Sequence, residues 1–437
     1  MGPAPLSRQH AALVIGIPIA WAALLLFHPG GAGSQIYSDL DGDGTRMLVV
    51  HIGTMVFIPL VALAIFLLLR GIESTAARIS RFALIVFAVF YLAWEALQGI
   101  ANGILVDQVS TLPQADRALG ADLIQQFAES PLVRDLGILG SIGSIALVVA
   151  AVAAGIALRN TGAPRLTPWL LGLSGLLITA HPPPFGPTGL LLFVLAAILV
   201  MRARPAVAAP AREPAIDPAA TGPAAFNRRE IVLLIGIPAA WAILLLFHPT
   251  GDGEDFYPII RDEVTPWLMV HLATMVFVPM MAAVIFLLLR GIEGKAAVIS
   301  RIALAAFAIV YLAWEVLIGI GTGVLIDQVN QLSPAQRPVG AELVEGFTDS
   351  GVVRAFELIG TGAWIIALAG AGTALVRERA APVAVLILLV LAALPIAWHV
   401  APFGQVGLAL FITAVVIAVR GRTSARMPAA PARPTPA

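Results

Sequence analysis

The residues best suited to chemistry in this sequence are histidines and glutamates that lie inside long apolar stretches. Six of the seven histidines belong to phrases that the chain repeats. The phrase that ends in His28-Pro29, for example, returns as one that ends in His248-Pro249. Two glutamates are repeated in the same way. The members of this repeated set are His28, His51, His181, His248, His271, His399, Glu95 and Glu315.

The spacing of these phrases predicts a tandem duplication. His51 and Glu95 return 220 residues later as His271 and Glu315, whereas His181 returns 218 residues later as His399. Each half of the chain therefore carries its own full set of three histidines and one glutamate. Two further polar pairs recur at the same offset, and they are Thr54 with Thr274 and Asp107 with Asp327.

Glu95 and Glu315 each lie about halfway along an apolar segment. An ionisable group near the centre of a bilayer costs a few kcal/mol on insertion scales, and it usually faces a bundle interior or a cavity. We expect both glutamates to act in proton coupling or substrate binding, together with the repeated threonines and aspartates. The alternative is a neutral glutamate that only joins helices. Gly99 and Gly103 follow Glu95 at helical spacing and favour close approach of a neighbouring helix there.

The histidines are expected to converge with the glutamate. Counted along their helices at 1.5 Å per residue, His28, His51, Glu95 and His181 all reach the outer half of the membrane. Three neutral imidazoles, with or without a carboxylate, suit Zn²⁺, Fe²⁺, Cu²⁺ or Mn²⁺. Two histidines on facing helices can instead hold a haem, and either set can relay protons. The alternative is that His-Pro simply caps a helix end. No local ligand motif decides between these.

The composition is that of a multi-pass helical membrane protein. Hydrophobic residues make up 59% and charged residues 12% of the chain, and the mean hydropathy is +0.93; soluble domains carry roughly 25% charged residues. The net charge of zero gives no electrostatic basis for nucleic-acid binding. The absence of cysteine excludes disulfides, thiolate metal sites and iron–sulfur clusters.

Apolar runs predict an all-α fold of twelve transmembrane helices, six in each repeat. The repeats are expected to be parallel and related by a pseudo-two-fold axis along the membrane normal. The fifth and sixth helices of each repeat are expected to be short. The predicted helices are 11–28, 47–69, 81–106, 133–158, 167–181 and 187–202 in the first repeat, and 231–248, 267–289, 301–326, 353–376, 382–398 and 404–420 in the second.

Charge and composition also predict domains and orientation. We expect a first repeat at 1–202, a Pro- and Ala-rich cytoplasmic linker at 203–227, a second repeat at 228–421 and a disordered tail at 422–437. Arginines concentrate in alternate loops, which places both termini in the cytoplasm. The Ala-, Pro- and Arg-rich composition is typical of a GC-rich bacterial genome, so the bacterial inner membrane is the expected location.

Three functions fit this sequence. Twelve helices in two parallel halves favour a transporter of an ion or small solute, coupled to protons through the glutamates and histidines; this is an analogy between folds. The complete polar set in each half favours a metal- or haem-binding membrane enzyme or electron carrier. A sensor or assembly factor is also compatible. The substrate and the oligomeric state are left open.

Overall fold

The described part of the chain is helical throughout. The computed structural model describes residues 6–30, 35–135, 137–203, 225–250 and 255–424, and these residues form no strand. The helices up to residue 203 are α1 (Arg8–Leu25), α2 (Ile36–Leu40), α3 (Gly44–Leu68), α4 (Thr75–Glu95), α5 (Asn102–Thr111), α6 (Arg117–Glu129), α7 (Ile138–Arg159), α8 (Thr167–Thr179) and α9 (Phe185–Ala203).

The helices after residue 225 follow a similar order. They are α10 (Arg228–Leu244), α11 (Phe256–Ile260), α12 (Val264–Leu288), α13 (Lys295–Glu315), α14 (Thr322–Gln331), α15 (Arg337–Thr348), α16 (Gly351–Arg377), α17 (Val383–Trp398) and α18 (Phe403–Ser424). A 3₁₀ turn, Leu245–Phe247, extends α10. Two π-helical segments, Ala96–Ala101 and Val316–Gly321, join α4 to α5 and α13 to α14.

The predicted class of fold, an all-helical membrane protein, is confirmed. Within the described ranges, ten helical stretches are long and apolar enough to cross a membrane. Two further apolar helices, α8 and α17, are shorter, as predicted for the fifth helix of each repeat. The prediction of a short sixth helix is wrong, because α9 and α18 have 19 and 22 residues and are among the ten stretches. Thirteen helical residues in α8 rise only about 20 Å, less than the thickness of about 30 Å of a hydrocarbon core. The count of twelve spanning helices therefore stays a prediction.

Local chemistry explains where several helices begin. The Ser7 hydroxyl accepts a hydrogen bond from the backbone N–H of His10, and the Ser74 hydroxyl accepts one from Ala77. The start of α10 carries a capping box in which Asn227 and Glu230 satisfy each other's backbone N–H groups. These side chains supply acceptors to helix donors that would otherwise lack an intrahelical partner.

The contacts between residues divide the chain into two compact units. The first unit comprises Met1–Ala211, Glu254–Val264 and Val316–Arg354, and the second comprises Arg212–Gly253, Thr265–Glu315 and Ala355–Ala437. The predicted linker at 203–227 and tail at 422–437 fall largely outside the described residues. The predicted domain boundaries stay a prediction.

Each unit contains a closely packed helix pair that fixes the position of a glutamate-bearing helix. In the first unit, the Ser80 hydroxyl of α4 donates to the carbonyl of Ala150 in α7, and Gly143 lies against the backbone of Tyr91. In the second unit, the Ser300 hydroxyl of α13 donates to the carbonyl of Ala367 in α16. Small residues and hydroxyl bonds of this kind allow apolar helices to approach closely without a hydrophobic driving force.

Candidate metal centres

Each site glutamate is the last residue before a π-helical segment. The helix α4 ends at Glu95, and the π segment Ala96–Ala101 follows at once; α13 ends at Glu315, and Val316–Gly321 follows. A π turn disturbs the regular helical ladder and is found frequently at functional sites. Nothing in the apolar pattern of the sequence predicts these segments.

The π segment of the first unit lies directly against a histidine. A Cβ atom at Gly99 would stand 1.9 Å from Cγ and Cδ2 of His51. No side chain can therefore replace the glycine hydrogen while His51 keeps its position. The sequence predicts that a neighbouring helix approaches closely at Gly99. In the structure the group that packs against Gly99 is the imidazole of His51.

Three imidazoles and a carboxylate meet in the first unit. His28 follows α1, His51 lies in α3, His181 follows α8, and Glu95 ends α4. One nitrogen from each histidine lies within 4.8 Å of the others, and the ring centroids are 5.0 to 5.4 Å apart. The Glu95 oxygens lie 3.6 Å from His51 Nε2 and 3.4 Å from His181 Nδ1. We call these four residues the first cluster.

Backbone carbonyls orient two rings of the first cluster. Nδ1 of His28 lies 2.7 Å from the carbonyl of Pro29, and Nδ1 of His51 lies 2.9 Å from the carbonyl of Met47. A carbonyl can only accept, so each Nδ1 donates and each Nε2 keeps its lone pair. His28 Nε2 lies 3.2 Å from His181 Nε2. Metal-binding histidines are oriented in this same way, through a hydrogen bond from the ring nitrogen that faces away from the ion.

Tyr91 and Trp94 hold the third ring of the first cluster. The Tyr91 hydroxyl lies 3.3 Å from His181 Nδ1 and is also near the carbonyls of Ile178 and Thr179. The Trp94 ring meets His181 edge-on at 5.5 Å, and its indole N–H donates to Val133. Sequence reasoning assigned no role to either residue, although both belong to the repeated phrase that ends in Glu95.

The second unit contains a second cluster of the same composition. It consists of His248, His271, His399 and Glu315, and its three histidine nitrogens also lie within 4.8 Å of one another. The Glu315 oxygens lie 3.8 Å from His271 Nε2 and 3.6 Å from His399 Nε2. The ring centroids are 5.0 to 5.8 Å apart.

The second cluster repeats the orientation of the first. Nδ1 of His248 donates to Pro249 over 2.7 Å, and Nδ1 of His271 donates to Trp267 over 2.8 Å. The Tyr311 hydroxyl lies 3.1 Å from His399 Nδ1. The Nε2 atoms of His248 and His271 are therefore left for a common ligand, and the Tyr311 hydroxyl orients the ring of His399.

Burial keeps the rings at the helix ends neutral. His28 and His248 both follow the end of an apolar helix, and burial lowers the pKa of both imidazoles from the usual 6.5, against the opposing effect of the carbonyls of Pro29 and Pro249. Near pH 7 both rings are uncharged, so their Nε2 lone pairs are available to a metal ion.

Several buried polar atoms of the clusters lack a hydrogen bond. Among the described residues, His51 Nε2 and both oxygens of Glu315 have no hydrogen-bond partner, and the Glu95 carboxylate has only the Tyr91 hydroxyl near it. The side chains of Glu95 and Glu315 are 0% exposed. An unpaired polar atom in a membrane interior costs several kcal/mol, which a bound cation would offset.

The geometry fits an ion better than a haem. Axial haem ligation places two imidazoles on opposite faces of a flat macrocycle. In the first cluster all three ring centroids lie within 5.4 Å of one another, and the rings meet edge to face. A single ion is the ligand that three converging nitrogens and a carboxylate can share.

The remaining predicted site residues lie elsewhere. The Thr54 hydroxyl is buried and accepts a hydrogen bond from the Trp21 indole over 3.2 Å, and Thr274 does the same for Trp241 over 3.3 Å. These hydroxyls join helices. Asp107 is exposed in the middle of α5 and is not part of the first cluster. Its predicted counterpart Asp327 is exposed in α14 and likewise belongs to neither cluster.

Comparison of the chain with protein-family models, with curated proteins and with solved structures gave no match.

Proposed function

We propose that this chain is an integral-membrane metalloprotein that binds one divalent first-row transition-metal ion in each of its two clusters. The observation that carries the proposal is the orientation of the imidazoles. In each cluster two Nδ1 atoms are fixed on backbone carbonyls, so that the Nε2 lone pairs converge beside a buried carboxylate. This is the arrangement that the outer hydrogen bonds of a metal site produce.

The distances agree with a tetrahedral site. Zinc binds histidine nitrogen at about 2.0 to 2.1 Å, so neighbouring ligand atoms of a tetrahedron lie about 3.3 Å apart. In the first cluster, His28 Nε2 and His181 Nε2 are 3.2 Å apart, and a carboxylate oxygen of Glu95 lies 3.6 Å from His51 Nε2. Nitrogen and oxygen donors suit zinc, iron, copper or manganese.

The class of chemistry follows from the ligands. Three histidines and a carboxylate can bind a Lewis-acidic ion that activates water, or a redox-active ion that carries an electron. We therefore propose a metal-dependent membrane enzyme or electron carrier. The transporter hypothesis rests on an analogy between folds, and no contact in the described ranges favours it over a metal centre.

We also propose that the two clusters descend from one duplicated unit. The repeated phrases of the sequence and the similar order of helices on either side of residues 204–224 support this. The same proposal includes twelve membrane crossings, cytoplasmic termini and a bacterial inner membrane. The distribution of arginine supports the orientation of the termini.

Metal analysis of the purified protein tests the proposal. The chain would be loaded with Zn²⁺ in detergent, desalted, and analysed for bound zinc. We expect about two ions per chain, one for each cluster of three imidazoles and a carboxylate. His51→Ala and His271→Ala should each remove one ion, and the double variant should remove both. His10→Ala is the matched control, since His10 belongs to neither cluster.

The result that would overturn the proposal is simple to recognise. If the protein bound no ion, or if the double variant kept the zinc content of the unaltered chain, the clusters would not be metal centres. Glu95→Gln and Glu315→Gln give an independent check, because each keeps the size of the side chain and removes its charge. Each should weaken binding in its own cluster only.

A further inference from the structure

The two clusters differ in how they are covered. His28 of the first cluster is half-buried, whereas His248 of the second is only 6% exposed. The other histidines of both clusters are buried to a similar degree. The difference is thus confined to the one histidine that follows the first apolar helix of each set.

An aromatic ring covers the second cluster where the first has a methionine. The Trp267 ring lies 4.1 Å from the ring of His271 and 5.1 Å from that of His248, and Trp267 itself is buried. The residue 220 positions earlier is Met47, and both residues accept the Nδ1–H of the histidine four positions on. An indole ring packed on two ligands restricts their movement far more than a flexible thioether does.

A side-chain amide also fastens the second cluster. Gln405 near the start of α18 donates from Nε2 to the carbonyl of Leu245, over 2.8 Å, just before His248. The residue 218 positions earlier is Pro187, which has no side-chain donor. The turn that carries His248 is therefore tied to a second helix, and the turn that carries His28 lacks this bond.

The first unit has polar side chains beside its π segment. Gln98 donates to the exposed carboxylate of Asp135 over 2.9 Å, and Asn102 donates to the Gln98 side chain over 2.8 Å. Asn102 is 1% exposed, and its Oδ1 has no hydrogen-bond partner among the described residues. These side chains therefore connect the surface with the interior beside Gly99. The residues 220 positions after Gln98 and Asn102 are Ile318 and Thr322, which cannot form this amide pair.

We infer that the two centres have different roles: the first is an open centre that exchanges its metal and admits an outside ligand, and the second is a closed centre that retains its metal. Both clusters offer four protein ligands, so an outside ligand at the first centre would be a fifth ligand, an expansion that zinc allows at catalytic sites. This inference rests on the proposed metal binding. It assigns the outside ligand of the first centre to a small polar molecule such as water, since the side chains beside the π segment are amides and an exposed carboxylate.

Release kinetics test the inference. The zinc-loaded protein would be mixed with an excess of a chromophoric zinc chelator, and release would be followed by absorbance. We expect two phases of equal amplitude. His51→Ala should remove the fast phase, and His271→Ala the slow one. Trp267→Met should accelerate the slow phase by about tenfold, since loss of an aromatic contact worth about 1.4 kcal/mol changes a rate by that factor.

Matched control variants distinguish a specific effect of Trp267 on metal release from a general loss of structure. Trp169→Met replaces a tryptophan that is 76% exposed and should leave both rates unchanged. Met47→Trp should slow the fast phase. Azide added to the cobalt-loaded protein should change the visible spectrum of the first centre alone, which His51→Ala would abolish.

Two outcomes would overturn the inference, and both differ from failure of metal binding. One is release of two ions in a single phase that Trp267→Met does not alter. The other is an azide response from the second centre. If the protein bound no zinc at equilibrium, the proposed function itself would fail before any rate was measured.

Discussion

Gly99→Ala tests the relation between the π segment and the first cluster. The added Cβ would stand 1.9 Å from two carbon atoms of the His51 ring, where ordinary contact needs at least 3.4 Å. The imidazole must therefore retreat by about 1.5 Å, whereas metal–ligand distances tolerate changes of only about 0.2 Å. We expect His51 to leave the first cluster.

The expected loss of zinc affinity in Gly99→Ala follows from the displacement of one ligand. Loss of an outer-shell partner alone weakens metal binding by about 10- to 100-fold, so displacement of a ligand should weaken it by at least about 100-fold. Overpacking should also lower the free energy of unfolding by about 1 to 3 kcal/mol. Titration calorimetry with Zn²⁺ would show one tight site in the variant and two in the unaltered protein.

The control for Gly99→Ala is another helical glycine in the same unit. Gly16 of α1 has no atom within 4 Å of its virtual Cβ, so Gly16→Ala should keep both sites and stabilise the helix by up to about 1 kcal/mol. If Gly99→Ala bound two ions with unchanged affinity, His51 would not be a ligand in the arrangement described, and the reasoning would be refuted.

Three further predictions concern the surroundings of the clusters. Tyr91→Phe removes the hydroxyl beside His181 Nδ1 and should weaken zinc binding at the first centre by about tenfold, measured by calorimetry; Tyr311→Phe should act on the second centre only, and equal loss at both would contradict the assignment. Thr54→Val leaves the buried Trp21 indole N–H without its acceptor and should lower the free energy of unfolding by about 1 to 3 kcal/mol, while two ions remain bound. Loss of metal in that variant would show that Thr54 contributes to the metal site. Removal of metal by a chelator should lower the thermal unfolding temperature, because an ion present at about 100 times its dissociation constant stabilises the folded state by about 2.7 kcal/mol. An unchanged unfolding temperature, with metal shown to be absent, would contradict binding at these buried positions.

The helices could be predicted from the sequence, because an apolar run that spans a bilayer needs no tertiary information to be recognised. The predicted short helices at 167–181 and 382–398 correspond to α8 and α17. The convergence of His28, His51 and His181 on Glu95 could be expected from depth alone, since residues at one level of a bundle share few possible neighbours. Their role as metal ligands stays a proposal.

Other features depended on side-chain contacts that no pattern encodes. The π segments arise from a departure of the backbone from regular helix, and the mostly apolar sequence of 96–101 suits either form. Thr54 lies one helical turn from His51, yet its hydroxyl is taken by Trp21. Spacing along the chain could not indicate that the Asp107 side chain is exposed and lies outside the first cluster, and its predicted role stays a prediction.

The position of the π segment has a consequence for how the chain tolerates insertions and deletions. A π turn accommodates one residue more than an α-helical turn of the same height. Loss of one residue within Ala96–Ala101 would convert the segment to regular α-helix and keep α4 and α5 on a common axis. Only the side chains within the segment would then point in new directions. Loss of one residue anywhere else between Thr75 and Thr111 would rotate one part against the other by about 100°. The span Thr75–Thr111 can thus lose one residue at the π segment, directly after Glu95, without rotating its two ends against each other.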